Sequence, residues 1–316
     1  MSKTIGLPPK LLIQTGRSLW TLMWQVMMGQ LAPRGRAGEY LRPVSQFRDC
    51  LPRAVPGRYR LIVGMSCPWA HRTLITRVLK GLEAAIAVTE VVPSPEDGGW
   101  LFSAPFAGCQ TLAELYQLAQ PGYRGRSTVP VLWDDQDQKI VNNESAEIIQ
   151  ILNSDFNQLA IHSELNLYPE SLQNEIDDWN DKIYNNVNNG VYRCGFAQTQ
   201  AAYQEAVTSL FTTLDEIDQQ LSDRPYLCGD FLTLADVRLF TTLIRFDVAY
   251  AGIFHCSYKR IRDYPHLSRY VRQIYQLPGI AATCELDRVR QDYYGNLFPL
   301  NPGGIIPIAP DLSWLA

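Results

Sequence analysis

The strongest constraint on the fold is a change in hydrophobic pattern near Asn153 of this 316-residue chain. Before that point, short apolar runs typical of strands alternate with segments whose apolar residues recur at helical spacing. After it, only helix-period patterns remain, over residues 171–188, 199–221, 233–249 and 263–277. A chain of this length also exceeds what one hydrophobic core usually organises. The sequence therefore predicts an α/β domain followed by an all-helical domain.

The first half predicts the element order β-α-β-α-β-β-α. The predicted elements are a strand at Tyr59–Val63, a helix ending near Gly81, a strand at Ala84–Val92, a helix at Thr111–Gln120, a hairpin of Val129–Trp133 with Lys139–Asn142, and a helix at Ser145–Leu152. A loop rich in glycine and proline separates the second strand from the second helix. This order is the thioredoxin-type arrangement, which we expect to occupy residues 56–155, with the helical domain over 165–298.

The two ends of the chain differ from these domains. Residues 1–55 contain five prolines and predict an extended arm with one short amphipathic helix at Leu19–Met28, and residues 299–316 predict an irregular strap. The Leu19–Met28 run superficially resembles a signal peptide, but it is too short to span a bilayer and no small-residue cleavage site follows it. We therefore interpret it as a docked helix and expect no stable membrane insertion.

The amino-acid composition limits the kinds of molecule that this protein is expected to bind. The formal net charge of −4 offers no broad basic field, so nucleic-acid binding is not expected. Seven scattered cysteines are unlike a disulfide framework and indicate a reducing compartment, which predicts a cytoplasmic protein. No two cysteines lie two to four residues apart, and the four histidines do not cluster, so no metal site is expected. A small molecule is the expected ligand.

Cys67 lies where the first predicted strand gives way to the first helix, with Pro68 at the first helical position. Free backbone N–H groups and the helix dipole there would stabilise a thiolate and lower its pKa below about 8.5. Position 70, where a dithiol motif would place its second cysteine, is Ala70, so the resolving thiol must come from another molecule. Glutathione is the natural supplier. The alternative is an inert buried cysteine.

Two segments predict a site for such a tripeptide. A cis peptide bond before Pro130 would leave the N–H and C=O groups of Val129 free to pair with a ligand backbone, whereas a trans proline is the plain alternative. The Glu144 carboxylate, the Ser145 hydroxyl and a backbone N–H converge at a helix start and would hold the zwitterion of a γ-glutamyl group. An N-cap serine beside a solvated glutamate is the structural alternative there.

Two single residues are ambiguous in the same way. Arg126 would hold a carboxylate, although most arginines lie at the surface. Trp100 would cover a ligand, although most tryptophans belong to a core.

Taken together, these motifs resemble the glutathionyl-hydroquinone reductases, the Xi class of glutathione transferases. The resemblance runs from about Gly38 to Pro310, and its motifs are Gly38–Pro43, Ser45–Arg48, Cys67–Arg72, Val129–Trp133, Val141–Ser145, Asn188–Tyr192, Thr233–Asp247 and Tyr293–Gly295. The Cys67–Arg72 string alone also fits the related Omega class, but the Asn188–Tyr192 and Tyr293–Gly295 strings are more particular to Xi.

The resemblance implies a thioredoxin-like domain that binds glutathione, an all-helical glutathione-transferase C-terminal domain that binds an aromatic acceptor, and a homodimer. Glutathione would act as co-substrate. Cys67 would be the nucleophile. The residues that match the glutathione site are Trp100, Arg126, Ser127, Thr128, Val129, Glu144 and Ser145. The residues that match the hydroquinone pocket are Tyr192, Tyr250, Tyr293 and Tyr294, of which Tyr293 is favoured over Tyr294 as the catalytic member of its pair.

The tyrosines suit the implied reaction. A thiolate releases glutathione from an aromatic carbon only after that carbon has been protonated, and a phenol such as Tyr192 can supply the proton. Hydrogen bonds from Tyr250 and Tyr293 to the Cys67 sulfur would favour its ionised form. Thiolate attack then leaves a mixed disulfide, which a second glutathione resolves.

Two alternatives stay open at this point. An Omega-like thioltransferase or dehydroascorbate reductase would also use Cys67 but would not need Tyr192, whereas a carrier of glutathione conjugates would need neither. Cys194 stands where the family pattern leads us to expect a small apolar residue, and we interpret it as packing.

Overall fold

All six strands in the described part of the chain lie between residues 59 and 142 of the computed structural model, which describes residues 8–94 and 99–316. The elements of the first half are α1 Pro9–Leu31, β1 Tyr59–Val63, α2 Pro68–Leu79, β2 Ala87–Pro93, β3 Trp100–Phe106, β4 Cys109–Thr111, α3 Leu112–Ala119, β5 Val131–Asp134, β6 Lys139–Asn142 and α4 Ser145–Ser154. Those of the second half are α5 Gln173–Ile183, α6 Gly190–Gly195, α7 Gln200–Gln220, α8 Leu234–Arg245, α9 Ala251–Ile253, α10 Pro265–Tyr275 and α11 Leu286–Asn296.

The strands form one mixed sheet in the order β4-β3-β2-β1-β5-β6. Strands β1 and β2 pair in parallel, as expected when a helix crosses over between them, and all other neighbours are antiparallel. The predicted hairpin pairs Leu132 with Asn142 and Asp134 with Lys139. The predicted fold, a thioredoxin-like domain followed by an all-helical domain, is confirmed, while the boundaries at 56, 155, 165 and 298 stay predictions.

The hairpin of β3 and β4 is not predicted by the sequence, whose pattern over residues 100–111 is that of a loop. Ser103, Ala104 and Pro105 are exposed, so this edge strand lacks the apolar alternation that marks a half-buried strand. Its turn is formed by Ala107 and Gly108, both with positive φ, rather than by the Asn-Gly pair that signals such a turn. The sheet is therefore two strands wider than expected.

Helix α2 connects the two halves of the molecule, because its two sides belong to different cores. Ala70 and Leu74 pack in the core of the sheet domain, and Ile75 packs in the core of the helical domain. Every residue from Pro68 to Thr76 is buried. The residues at the start of α2 are thus fixed by both domains.

Helix α8 faces α2 and begins as the sequence indicates. Thr233 and Asp236 form a capping box, in which the Thr233 backbone N–H donates to Oδ2 of Asp236 at 2.8 Å. The other carboxylate oxygen accepts from the backbone N–H of Leu227 at 2.9 Å and from the Tyr270 hydroxyl at 3.0 Å. This buried anchor fixes the direction of α8, whose last residue, Arg245, points its side chain into the site described below.

The helical domain also contains elements that the sequence does not predict. The helical patterns predicted at 171–188 and 233–249 both end in a wide π-helical turn, at Tyr184–Asn188 and Phe246–Tyr250. Helices α6 and α11 lack a clear apolar stripe, because α6 has only six residues and most side chains of α11 are polar or charged. Single π-helical turns are frequent at functional sites, and one of these carries Tyr250.

The N-terminal helix differs from its prediction in length and in placement. It spans Pro9–Leu31 rather than Leu19–Met28, and only Met28 is buried, so it is not docked along its length. Pro9 stands at the first helical turn, where a missing N–H costs nothing. The arm that follows does pack: Arg48 bridges to Asn142, so this segment covers the edge of β6.

Candidate active site

Cys67 is the N-cap residue of α2, at the junction that the sequence predicts. Its thiol lies 3.7 Å from the carbonyl oxygen of Val129, to which it can donate. The Val129–Pro130 peptide bond is cis, as predicted. The loop before α2 and the start of the β5–β6 hairpin therefore meet at one sulfur.

The sequence predicts a lowered pKa for the Cys67 thiol, but in the structure this pKa is raised. Burial between the two domains raises the pKa of the Cys67 thiol. The backbone N–H groups of Ala70 and Trp69, and the positive charges of Arg245 and Arg42, act in the opposite direction but do not outweigh the burial. The helix N-terminus favours the thiolate as predicted, but sequence alone does not reveal the loss of hydration.

Trp100 lies close to the loop that carries the sulfur. A Cβ atom built on Gly64 would come within 2.3 Å of the Trp100 ring, so the indole rests directly on the backbone three residues before Cys67. Trp100 is the first residue of β3. Its placement beside the nucleophile loop thus depends on the hairpin that the sequence does not predict.

Glu144 and Ser145 lie at the start of α4. Glu144, and not the serine, is the N-cap residue, and its carboxylate accepts from the backbone N–H of Ala146 at 3.1 Å and from the Ser45 hydroxyl at 2.9 Å. The Ser145 hydroxyl is buried and accepts from Arg72 at 3.3 Å. Ser45 belongs to the N-terminal arm, so the arm contributes directly to this corner of the site.

The segment before Val129 is more exposed. The side chain of Arg126 is exposed, while its carbonyl oxygen accepts from the Tyr123 hydroxyl at 3.1 Å. Ser127 and Thr128 are half-buried, and the Thr128 carbonyl accepts from the Tyr116 hydroxyl at 2.7 Å. Buried tyrosines of the sheet domain therefore fix the backbone of this loop, while the Arg126 side chain is exposed to solvent.

Three of the predicted tyrosines form one hydroxyl cluster. The hydroxyl of Tyr293 lies 2.7 Å from that of Tyr192 and 3.1 Å from that of Tyr250. Burial raises the pKa of all three phenols, and a negative charge on Cys67 raises that of Tyr192 and Tyr250 further, so the sulfur lies within electrostatic reach. The predicted hydrogen bonds from Tyr250 and Tyr293 to the sulfur are wrong for this structure, because these hydroxyls bond to other phenols.

Tyr294 lies apart from this cluster. A Cβ atom on Gly252 would lie 1.9 Å from the Tyr294 hydroxyl, and a backbone hydrogen bond from Ile253 lowers the pKa of that phenol, although burial raises it overall. Its hydroxyl thus faces the backbone of α9. Successive residues on a helix point about 100° apart, so α11 can present only one of the pair to the cluster.

Arg245 is a buried cation that the sequence does not single out. Its side chain donates to the carbonyl oxygens of Ser66 at 3.0 Å, Met65 at 3.2 Å and Thr241 at 2.9 Å, and to Nδ1 of His71 at 2.8 Å. Each of these four acceptors is a neutral group, and the guanidinium is only 1% exposed. Its positive charge therefore acts on the Cys67 thiolate without local neutralisation.

His71 is held neutral by the same arrangement. Burial, together with the charge of Arg245, keeps the pKa of His71 well below its usual range. Since Nδ1 accepts from Arg245, the ring proton lies on Nε2, which can donate to the Thr283 hydroxyl at 2.8 Å. Both residues thus brace the first turn of α2 against the helical domain.

Trp69, two residues after Cys67, carries two arginine side chains on its ring. The guanidinium groups of Arg42 and Arg72 each lie over its ring, at 3.8 and 4.4 Å from the centroid, and the ring stacks on Tyr192 at 6.4 Å. Burial lowers the pKa of Arg72 to about 9. Two guanidinium groups on one buried ring would suit an anionic ligand here. The signal in the sequence is that Arg42 and Arg72 each stand among mostly apolar residues.

Cys194 and Cys256 do not belong to the candidate active site. Burial, together with the neighbouring Cys194 thiol, raises the pKa of Cys256 well above its usual value. Both side chains belong to the core of the helical domain.

Among the described residues, no group of three or more histidine, cysteine, aspartate or glutamate side chains is placed to hold a metal ion. No helix within residues 8–94 and 99–316 has both the length and the apolar character needed to cross a membrane.

Comparison with known proteins defines the class. The model of the Glutathione S-transferase, N-terminal domain, matches residues 66–155, and that of the Glutathione S-transferase, C-terminal domain, matches residues 200–273. These matches contain Cys67, Glu144 and Tyr250. The fold and the comparison together make this chain a glutathione S-transferase.

More similar relatives define the family within that class. The chain is 45% identical over 288 residues to the glutathionyl-hydroquinone reductase PcpF of Sphingobium chlorophenolicum, covering 88% of this chain and 91% of the relative. It is 45% identical to the glutathionyl-hydroquinone reductase YqjG of Escherichia coli, covering 88% and 90%. The crystal structure of the Xi glutathione transferase of Phanerochaete chrysosporium superposes with a TM-score of 0.85 at 44% identity, covering 88% and 94%. The chain belongs to the Xi-class glutathionyl-hydroquinone reductases.

Proposed function

We propose that this protein reduces glutathionyl-hydroquinones to hydroquinones, with glutathione as co-substrate. The observation that carries the proposal is that an N-cap cysteine lies near three phenols from the helical domain, in which the Tyr293 hydroxyl bonds to those of Tyr192 and Tyr250. The 45% identity to two reductases of this name supports it, as does the solved structure of YqjG with bound glutathione at 46% identity. Free thiols at all seven cysteines agree with a thiol-dependent reaction in a reducing compartment.

The chemistry divides into two steps. Tyr192 gives its proton to the ring carbon that carries sulfur, and the Cys67 thiolate attacks the glutathionyl sulfur. The carbon–sulfur bond breaks, its electron pair restores the aromatic ring, and the hydroquinone leaves with Cys67 joined to glutathione as a mixed disulfide. A second glutathione thiolate then attacks this disulfide, so oxidised glutathione is released and the thiolate of Cys67 returns. Two glutathione sulfurs are oxidised, and one aryl carbon is reduced.

The tyrosine cluster supports the proton transfer. The Tyr192 phenol, whose pKa burial raises, carries its proton at neutral pH, and the hydrogen bond with Tyr293, which acts to lower that pKa, favours the phenolate that proton transfer leaves behind. Tyr293 and Tyr250 can pass a replacement proton to Tyr192 through the two hydroxyl contacts. We assign Tyr192 as the acid, Tyr250 and Tyr293 as its relay, and Tyr294 as a neighbour of the pocket wall.

The glutathione site we propose consists of the residues that the sequence predicts. Val129 would pair with the cysteinyl backbone, and Glu144 and Ser145 would hold the γ-glutamyl zwitterion. Trp100, Arg126, Ser127 and Thr128 would enclose the remainder of the tripeptide. We further propose that the protein is a cytoplasmic homodimer, whose mass in solution light scattering would measure directly.

The test compares two variants on two substrates. With glutathionyl-menadiol, Cys67→Ala is expected to abolish turnover, and intact-mass analysis of the wild type should show one glutathione adduct confined to Cys67. Tyr192→Phe should lose roughly a hundredfold in turnover, as expected when a general acid is removed, yet keep its activity on a mixed disulfide such as glutathionyl-cysteine. The exposed Tyr258 provides the matched control, Tyr258→Phe, which should behave as wild type.

Two results would contradict the proposal. A Tyr192→Phe enzyme that reduces glutathionyl-menadiol normally would favour thioltransferase chemistry, because disulfide exchange needs no carbon protonation. If Cys67→Ala binds the conjugate as the wild type does, and the two proteins do not differ in turnover, the protein would be a carrier of glutathione conjugates.

A further inference from the structure

Helix α1 has an apolar face that the rest of the described chain leaves uncovered. Of its 23 residues only Met28 is buried. Eight of its large apolar side chains are at least 44% exposed, among them Leu12, Leu19, Trp20 and Met23. Exposed apolar surface of this extent marks an interaction site.

The exposed side chains are ordered around the helix. At 100° per residue, the exposed apolar side chains of α1 span an arc of roughly 220°, which Thr15, Gly16 and, in the last turn, Gln30 interrupt. Lys10 and Arg17 share the narrow remaining face with glutamine, serine and threonine side chains. Packing against one protein helix requires a narrower stripe of about 100°, so this arc is wider than a single partner helix would cover.

The first 38 residues of the arm, which include α1, have a net charge opposite in sign to that of the rest of the molecule. Residues 1–38 contain five Lys and Arg and no Asp or Glu, whereas the remaining residues contain 23 Lys and Arg against 32 Asp and Glu. An anionic surface would therefore attract the arm and repel the body. This orients the molecule with α1 toward the surface and the domains away from it.

The tryptophans lie at one border of the apolar arc. On the helical wheel, Trp20 and Trp24 fall at the side of the arc next to Arg17 and Lys10. Indole rings favour the boundary between hydrocarbon and water, and basic side chains favour anionic headgroups. A helix with tryptophan beside lysine and arginine at the edge of a wide apolar face is typical of one that lies in the plane of a bilayer.

We propose that α1 binds reversibly, in the plane of the surface, to membranes that contain anionic phospholipids. The helix is about 35 Å long at 1.5 Å per residue, so its whole apolar arc can enter the headgroup region at once. The domains would remain in water, because only the last turns of α1 pack against them. This is peripheral binding and adds no membrane-spanning segment.

The experiment is flotation of the full-length protein with vesicles of equimolar phosphatidylglycerol and phosphatidylcholine, and with vesicles of phosphatidylcholine alone. The wild type should bind the anionic vesicles at least tenfold more tightly. The double variant W20Q/M23Q should weaken that binding more than tenfold, while the matched polar-face variant Q14S/Q25S should stay within twofold of wild type. K10Q/R17Q should remove most of the preference for anionic vesicles.

Each outcome decides the proposal. Equal binding of W20Q/M23Q and Q14S/Q25S would overturn it, as would failure of the wild type to float with anionic vesicles. If the wild type does not float but forms a larger species that W20Q/M23Q does not, a second copy of the chain covers the face instead. Turnover of glutathionyl-menadiol in solution should be unchanged in all three variants, which shows that the domains are folded and keeps this test independent of the enzymatic proposal.

Discussion

The nucleophile depends on a cation from the other domain. Arg245 reaches across from the end of α8 and bonds to the two carbonyl groups just before Cys67 and to His71 just after it. It positions the loop that bears the sulfur, and its charge favours the thiolate. Because its hydrogen-bond acceptors are neutral, little local charge reduces that effect.

We predict that Arg245→Met raises the pKa of the Cys67 thiol above its already raised value. Less thiolate is then present at any given pH, so the pH profile of iodoacetamide alkylation of Cys67 should move to higher pH, and its rate at pH 7 should fall roughly tenfold. Arg245→Lys should recover part of the loss. Arg262→Met, on a half-exposed surface arginine, is the control and should leave the profile in place. An unchanged profile in Arg245→Met would show that the arginine serves packing alone.

Sequence reveals some residues of this site and hides others for a physical reason. Cys67, Val129 and Glu144 stand at the ends of local elements, so the turn or helix start that exposes them is visible in neighbouring residues. Arg245 could not be found in that way, because the Met65 and Ser66 carbonyl groups to which it donates are about 180 positions away. The raised pKa of Cys67 depends on the same domain contact, which no local pattern contains.

At the scale of elements, the β3–β4 hairpin sets the position of Trp100. Helices such as α4, α7 and α10, and the central strands, are predicted because their buried residues leave a regular apolar pattern. The hairpin lies at the sheet edge, where that pattern fades, so the sequence does not reveal it. Its first residue nevertheless rests on Gly64, so the residue that follows β1 must be glycine for this contact to exist.

Gly64→Ala should therefore displace Trp100 and destabilise the sheet domain. The added Cβ would lie 2.3 Å from the indole, a clash that typically costs about 1–3 kcal/mol. Urea unfolding should show that loss in the free energy of unfolding, and the Michaelis constant for glutathione should rise. Gly99→Ala is the matched control, because a Cβ at Gly99, next to Trp100, meets no atom of the described residues within 4 Å. If both alanine variants are equally stable, the contact between Trp100 and Gly64 does not constrain the loop.

At the scale of the whole molecule, the two cores share one helix. Ile75 is fully buried in the core of the helical domain, although it belongs to the first helix of the sheet domain. Arg72 of the same helix bonds to Ser145 in one domain and to Asn188 in the other. A site built from both halves needs this coupling, because Cys67 and the tyrosines meet only while the domains stay docked.

We predict that the chain unfolds as one cooperative unit and that Ile75→Ala lowers the stability of both halves together. Truncation of a buried isoleucine costs about 2–5 kcal/mol, and here the lost contacts belong to the interface rather than to one domain. Hydrogen exchange followed by mass spectrometry should show faster exchange in peptides of β1 and β5 and equally in those of α7 and α10. Leu118→Ala, on the half-exposed side of α3, should change neither set. Faster exchange confined to the sheet peptides would mean that the helical domain keeps its own stability, in which case the meeting of Cys67 with the tyrosine cluster would depend on docking between two independent domains.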